Sequence, residues 1–241
     1  TLTIADGTHT NGIYGFLNML DKVKDDINPD YIVATFDRKA PTFRHLEYKE
    51  YKAGRKKMPD ELAMQFPILK DILKMMAINI FEIDGFEADD LIGTLSNYAE
   101  SNGLEVYIVT GDRDALQLAT DKIKVVLTKN KGEKEIYDAS KMMETYGVTP
   151  TEFIDVKGLM GDSSDNIPGV PGIGEKTAYK LIKEYKSIEN LLSNLDKLKG
   201  KMKENLENNV EQAIFSKKLA TIETHVPVEI NLDEIKSKEE Y

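Results

Sequence analysis

Seven carboxylates stand at the ends of short apolar runs in this chain. Asp37 follows YIVATF, Glu87 and Asp89 lie in FEADDLIGTL, Asp112 and Asp114 follow LEVYIVTG, and Asp162 and Asp165 sit in LMGDSSDNIPG. Gathered without counter-ions they would repel one another, and some would take up protons. Divalent cations remove that conflict, and Mg²⁺ prefers carboxylate and water oxygens. Such an acidic cluster suits two-metal hydrolysis of a phosphodiester, in which one cation activates water and the other stabilises the leaving oxygen. The plainer reading makes each one a helix cap or turn residue, roles that Asp favours anyway. It accounts for any single member better than for all seven in order.

A polyanionic substrate also needs positive charge to hold it. Residues 38–57, RKAPTFRHLEYKEYKAGRKK, carry eight basic residues against Glu47 and Glu50, a net +6 in a chain of net charge −10. The remaining residues therefore total −16. Basic groups would grip the backbone and present it to metal-loaded carboxylates. Phe43, Tyr48 and Tyr51 interleave with these charges, as a stacking surface for a single strand requires. A solvated basic helix is the alternative, and Tyr51-Lys52 close to Arg55 favours the functional reading.

The 241 residues are enough to bury a core, and 41 % hydrophobic with 31 % charged residues is a globular composition. No apolar stretch reaches the ~20 residues of a membrane span, and TLTIADGTHT lacks the regions of a signal peptide. Cys is absent, which excludes disulfides and thiolate metal sites and suits a reducing cytoplasm. Trp is absent too, so base stacking would fall to Tyr, Phe or Arg.

The elements that must position these groups alternate. Residues 12–27 have helical spacing before Pro29, YIVATF reads as a buried strand, and residues 58–76 read as a helix with a kink or break at Pro67. NIFEI, LEVYIVT and KIKVVLT read as further strands, with ADDLIGTLSNYAESNG and RDALQLA as helices between them. Such βαβα order predicts a mostly parallel sheet with helices on its faces. Its ligand crevice lies outside the carboxyl ends of the strands, where Asp37 and Asp112 fall. After residue 138 the pattern is helical only, so residues 1–137 and 138–241 are the expected domains. Asp162 and Asp165 must then fold back toward the sheet.

NIPGVPGIGEKTAYKLIKEY is a second signal. Gly172-Ile173-Gly174 opens a helix, whose unpaired amides and positive dipole end could clamp a phosphate without reading sequence. A Walker A reading fails, because Glu175 separates the glycine from Lys176 and no strand precedes it. Simple packing of a helix-turn-helix is the alternative.

TNGIYGF, FDRKAPTFRH, YKAGR, GFEADDLIGTL, TGDRDALQL and GLMGDSSDNIPGVPGIGEKTA occur here in order. Through them the chain resembles, over nearly its whole length, the 5′-nuclease domains of bacterial DNA polymerase I within the flap endonuclease superfamily. The resemblance implies a PIN-like α/β core with a helical arch over residues 38–76. It also implies a helix-hairpin-helix-type motif near residues 165–185 of an otherwise helical part. It assigns Asp37, Glu87 and Asp89, with Asp90 close behind, to one metal group, and Asp112, Asp114, Asp162 and Asp165 to another. Two Mg²⁺ would bind there, with Mn²⁺ able to replace them, and a K⁺ at the hairpin. Tyr51, Lys52 and Arg55, the implied catalytic residues, match the foot of the helical arch, where the family steers the single strand and the scissile phosphate. Arg38, Arg44 and Lys56 would contact DNA there, and Gly172, Ile173, Gly174, Lys176 and Thr177 would contact it at the hairpin. The implied partners are 5′ flaps, nicked or branched duplex and RNA primer ends, with a covalently linked polymerase domain and a bacterial cytoplasmic, nucleoid-associated setting. No membrane is implied.

The family also begins with an apolar strand ending in Asp-Gly, twenty residues or more ahead of the TNxIYGF helix. Here Asp6-Gly7 lies three residues before Thr10, so Asp6 reads as a turn residue, the alternative being a shortened entry loop that makes Asp6 the ligand. On the turn reading, one strand and one ligand are expected to be missing. Two other functions remain open at this point, a branched-DNA binder without catalysis and a PIN-type ribonuclease.

Overall fold

The computed structural model describes residues 2–4, 7–129 and 133–236. In chain order it contains α1 (Asn11–Ile27), β1 (Val33–Thr35), α2 (Phe43–Glu47), α3 (Asp60–Ala63), α4 (Gln65–Met75), β2 (Asn79–Phe81), α5 (Ala88–Ser101) and β3 (Val106–Thr110). A 3₁₀ helix at Arg113–Leu118 leads to β4 (Ile123–Thr128) and β5 (Lys134–Tyr137). Helices follow: α6 (Ala139–Tyr146), α7 (Pro150–Met160), α8 (Glu175–Tyr185), α9 (Ile188–Leu192), α10 (Gly200–Glu207), α11 (Val210–Ala220) and α12 (Leu232–Ile235). Among the described residues no helix is long and apolar enough to cross a membrane.

Two compact units are drawn from alternating segments of the chain. The first takes Thr1–Lys39, Lys56–Ala88 and Pro227–Tyr241, and the second Ala40–Arg55 and Asp89–Val226. In the first unit β1 and β2 pair in parallel, Val33 opposite Asn79. Ile13 and Leu20 of α1 and Leu69 and Leu73 of α4 form its core with Phe36 and Ile78. Gln65 joins the two helices: its Oε1 accepts from the amides of Gly12 at 2.7 Å and Ile13 at 3.2 Å. These are first-turn donors that a helix cannot satisfy by itself. The break expected at Pro67 falls instead at Met64, between α3 and α4. Pro67 sits in the first turn of α4, where a missing N–H costs nothing.

The second unit holds a separate sheet. β3 is parallel to β4, and β5 runs antiparallel along β4. Among the described residues, the strands of this α/β fold pair as two short sheets. Only three residues of YIVATF and three of NIFEI enter a ladder. Lys134 and Glu135 make β5 read as loop. Behind β3 and β4 lies a core that includes Val125, Met142, Phe153, Val156, Leu159 and Ile182.

Within that core α7 is buried on almost every side. It starts at a capping box: the Thr149 hydroxyl accepts from the Glu152 amide at 3.1 Å, and the Glu152 carboxylate accepts from the Thr149 amide at 2.9 Å. Pro150 takes the first helical position. At Gly158 a Cβ would lie 2.9 Å from the Cα of Lys217 on α11, so only glycine lets the two helices approach this closely.

Candidate active site

Asp112 lies just past the end of β3 and caps the 3₁₀ helix, its Oδ1 accepting from the Asp114 amide at 2.9 Å. Asp162 and Asp165 occupy the loop after α7. That loop is closed by a reciprocal pair of backbone bonds between Asp162 and Ile167, at 2.9 and 2.8 Å. Two glycines make the closure feasible. Gly161 and Gly169 have φ of +70° and +62°, and a Cβ on Gly169 would lie 2.3 Å from the Gly161 nitrogen. Within the loop the Asp162 carboxylate accepts from the amide and hydroxyl of Ser164, at 2.8 and 2.6 Å.

Asp165 is buried and held by three groups from the basic segment. The Tyr51 hydroxyl donates to it at 3.3 Å, Arg55 forms an ion pair with its Oδ1, and the Lys52 ammonium lies 3.8 Å from Oδ2. The backbones are clipped together as well. Lys52 N donates to Asp165 O at 2.9 Å, and the Asn166 side chain donates to Glu50 O at 2.7 Å. Lys52 has φ +57°, a conformation that costs free energy in a non-glycine residue and concentrates at functional sites. The geometry thus brings Tyr51, Lys52, Arg55 and Asp165 together.

The second carboxylate group contains a cation that the sequence did not single out. Lys157 of α7 places its ammonium 2.9 Å from Asp114 Oδ1 and in an ion pair with Asp162 Oδ2. Burial would raise the Asp162 carboxyl, but bonds from Lys157 and Ser164 outweigh it and hold the group down at about 2. For Asp114 burial prevails over the pull of Lys157 and pushes the carboxyl up. Burial would lower the Lys157 ammonium, and its two carboxylate partners raise it instead. The only clue in the sequence was a lysine inside the otherwise apolar run VKGLM, five residues before Asp162.

The oxygen-only donor set of Asp112, Asp114, Asp162 and Asp165 fits a hard divalent cation. Asp114 and Asp162 already converge on one positive charge. Among the described residues, no three Asp, Glu or His side chains are gathered closely enough to hold a metal ion as they stand.

Arg44 and Asp90 form a buried bidentate pair, at 2.9 and 2.8 Å. Arg44 also donates to the carbonyls of Leu219 and Thr221, and Asp90 accepts from the Glu223 amide at 2.9 Å. At 3 % and 0 % side-chain exposure, the pair helps hold the second unit together, and neither side chain presents itself at the surface. The expected stacking surface is also absent from the described residues. Tyr51 is buried with Ile167, Leu219 and Ala220, and Tyr48 packs edge-on against the Phe215 ring. Phe43 faces the Arg44 guanidinium, 4.5 Å from its centroid.

In the first unit the exposed Asp37 accepts from the Ala88 amide at 2.7 Å, and Glu87 is half-buried. Arg38 pairs with Asp84 at 2.7 Å, and Lys56 is exposed. Asp89, in the second unit, lies half-buried in the first turn of α5. Asp6 lies outside the described residues.

The loop that leads into α8 keeps its backbone at the surface. Gly174 is the N-cap of α8, no side chain caps the helix, and a Cβ there would meet nothing within 4 Å. Lys176 is exposed and Thr177 half-buried beside it. Ile173 points inward, its amide bonded to Val170 O at 3.1 Å. Asn205 of α10 donates to Pro171 O at 2.9 Å and Gln212 of α11 to Gly169 O at 2.7 Å, pinning the loop from behind.

Comparison with known proteins follows this geometry. Residues 1–147 match the model of the 5'-3' exonuclease N-terminal resolvase-like domain, and residues 148–241 match that of the 5'-3' exonuclease C-terminal SAM fold. DNA polymerase I of Bacillus caldotenax is 48 % identical over 232 residues, covering 95 % of this chain and 26 % of the relative. DNA polymerase I of Bacillus subtilis (strain 168) is 49 % identical over 229 residues, covering 94 % and 26 %. The chain thus spans about a quarter of the length of these curated relatives. Among solved structures, T5 5'-exonuclease with bound zinc superposes with a TM-score of 0.75 at 25 % identity, covering 91 % of this chain and 84 % of that one. The catalytic core of Rad2 in complex with a DNA substrate has a TM-score of 0.57 at 17 % identity, covering 92 % and 73 %, and shares the fold.

Proposed function

This chain belongs to the 5'-3' exonuclease family, and on that premise we propose that it is a structure-specific 5′-nuclease that hydrolyses DNA phosphodiesters at 5′ flaps, nicks and primer ends. The observation that carries this reading is the basic segment clipped onto the acidic loop after α7, through Asp165. Asp112, Asp114, Asp162 and Asp165 stand with Lys52 and Arg55 in one unit, the last two resting on Asp165.

Asp112, Asp114, Asp162 and Asp165 would hold a divalent cation, and Asp37, Glu87 and Asp89 are proposed as further ligands, with Mg²⁺ the natural ion for an all-oxygen set. Bound cations would supply water activation near neutral pH and charge for the leaving 3′ oxygen. The chain's own groups do the rest. Lys52 and Arg55 exchange Asp165 for the scissile phosphate and offset charge on its non-bridging oxygens, the guanidinium as a bidentate fork. Tyr51 keeps Asp165 oriented. The products carry a 5′-phosphate and a 3′-hydroxyl. Arg38 and Lys56 steer the strand, while the first-turn amides of α8, with Lys176 and Thr177, grip duplex backbone; a K⁺ would need oxygen ligands, carbonyls of that loop or the phosphate itself, rather than the amides. A bacterial cytoplasmic setting and a linked polymerase belong to the same proposal.

The test is cleavage of a 5′-labelled flap with Mg²⁺. Asp112→Asn and Asp165→Asn should each abolish cleavage while DNA affinity stays equal or rises, because each removes a negative charge facing phosphate. Undiminished cleavage in either variant would end the assignment.

A further inference from the structure

We infer that Lys157 is a built-in counter-ion of the carboxylate site: its ammonium holds Asp114 and Asp162 until a divalent cation takes them, and so sets the affinity of the site for metal. The inference rests on the metal-binding reading above and adds a regulator to it.

Lys157 is only 7 % exposed and sits on the most enclosed helix of its unit. A lysine there loses hydration that its partners must return, and those partners come from two separate segments, at 2.9 Å from Asp114 Oδ1 and against Asp162 Oδ2. Asp112 stands beside them through its bond to the Asp114 amide. Metal-free, Asp112, Asp114 and Asp162 on two neighbouring loops would repel, and the Lys157 ammonium relieves the pair nearest to it, while Lys52 and Arg55 serve Asp165. A cation bound by Asp114 and Asp162 competes with the ammonium for the same two carboxylates. Two positive charges ~4 Å apart then oppose each other, so the ammonium has to withdraw along its flexible stem.

The same unit provides a control. Lys217 makes a comparable bridge, 2.6 Å from Asp155 and 2.9 Å from Glu189. None of the carboxylates proposed as ligands takes part in it. A purely structural lysine should behave like Lys217, whereas a counter-ion should not.

The experiment uses calorimetry of Mn²⁺ binding without DNA and melting in chelator and in saturating Mn²⁺, on the parent, Lys157→Met, Lys157→Gln and Lys217→Met. Both Lys157 variants should melt below the parent in chelator, recover the loss with Mn²⁺, and bind the ion at least about tenfold tighter, a like charge having been removed. Lys217→Met should melt lower in both conditions with unchanged Mn²⁺ affinity. On the parent itself, amine acylation read by mass spectrometry should find Lys157 protected in chelator and exposed by Mg²⁺. Folded Lys157 variants that bind Mn²⁺ no tighter than the parent would overturn the inference, as would acylation indifferent to Mg²⁺. A parent that binds no Mn²⁺ would instead remove the metal reading underneath it.

Discussion

Arg44 and Asp90 lie 46 positions apart and meet where no water reaches them. Removing one partner leaves an uncompensated buried charge, a loss of about 3–5 kcal/mol, whereas replacing both with apolar groups recovers much of it. Arg44→Met should therefore lower the denaturation midpoint far more than Arg44→Met combined with Asp90→Leu; equal losses would mean that the pair contributes through the carbonyls Arg44 also serves. Lys52 and Arg55 are charged differently in purpose, since their partner Asp165 stands among the proposed ligands. Lys52→Ala and Arg55→Ala should slow single-turnover cleavage by roughly the ~3–4 kcal/mol lost with a preorganised donor. Lys56→Ala, on an exposed side chain, should cost much less. Three equal and small effects would reduce the segment to an electrostatic tether. Sequence spacing exposed Asp112, Asp162 and Asp165 because they follow apolar runs. It could not expose Lys157 or the Arg44 pair, whose meaning depends on contacts made across the fold.

Helices with strong local signals were legible: ADDLIGTLSNYAES forms α5, and Thr149 with Glu152 starts α7 where a capping box should. What escaped was decided by neighbours. Pro67 looked like a break until Gln65 was seen tying the start of α4 to α1, and β5 is a strand only because β4 offers an edge. The tightness of α7 is another tertiary matter. A methyl group on Gly158 would press on the Lys217 backbone and the Ile188 side chain at 2.8–2.9 Å. Gly158→Ala should destabilise the protein by about 1–3 kcal/mol, as overpacking does, despite the better helix propensity of alanine. A rise in melting temperature would show that α7 and α11 separate at little cost. Because α7 also carries Lys157 and leads into the Asp162 loop, the same variant should loosen Mn²⁺ binding.

Over the whole molecule, a net charge of −10 must be reconciled with a polyanionic ligand. Segregation answers it: a +6 stretch over residues 38–57 is one proposed contact, and the exposed amides and Lys176 at the start of α8 are another. At α8 the charge of Lys176 and the uncharged amides should leave different marks on salt dependence. Each lysine that neutralises a phosphate adds about 0.9 to the slope of log K against log salt on duplex DNA. Lys176→Ala should therefore lower that slope by about one, uniformly across flap sequences. Gly174→Val removes no charge. Its backbone, at φ −89°, suits any residue, and the open space at its Cβ means that the fold should tolerate valine. The added side chain stands where a phosphate would approach the helix N-terminus. Gly174→Val should thus weaken duplex binding at every salt concentration with the slope unchanged and the melting temperature preserved. Fluorescence anisotropy on a nicked duplex from 50 to 300 mM salt (on the order of the range over which such slopes are read) would decide it. Parent-like curves for both variants would take α8 off the path of the DNA and leave the basic segment as its main hold.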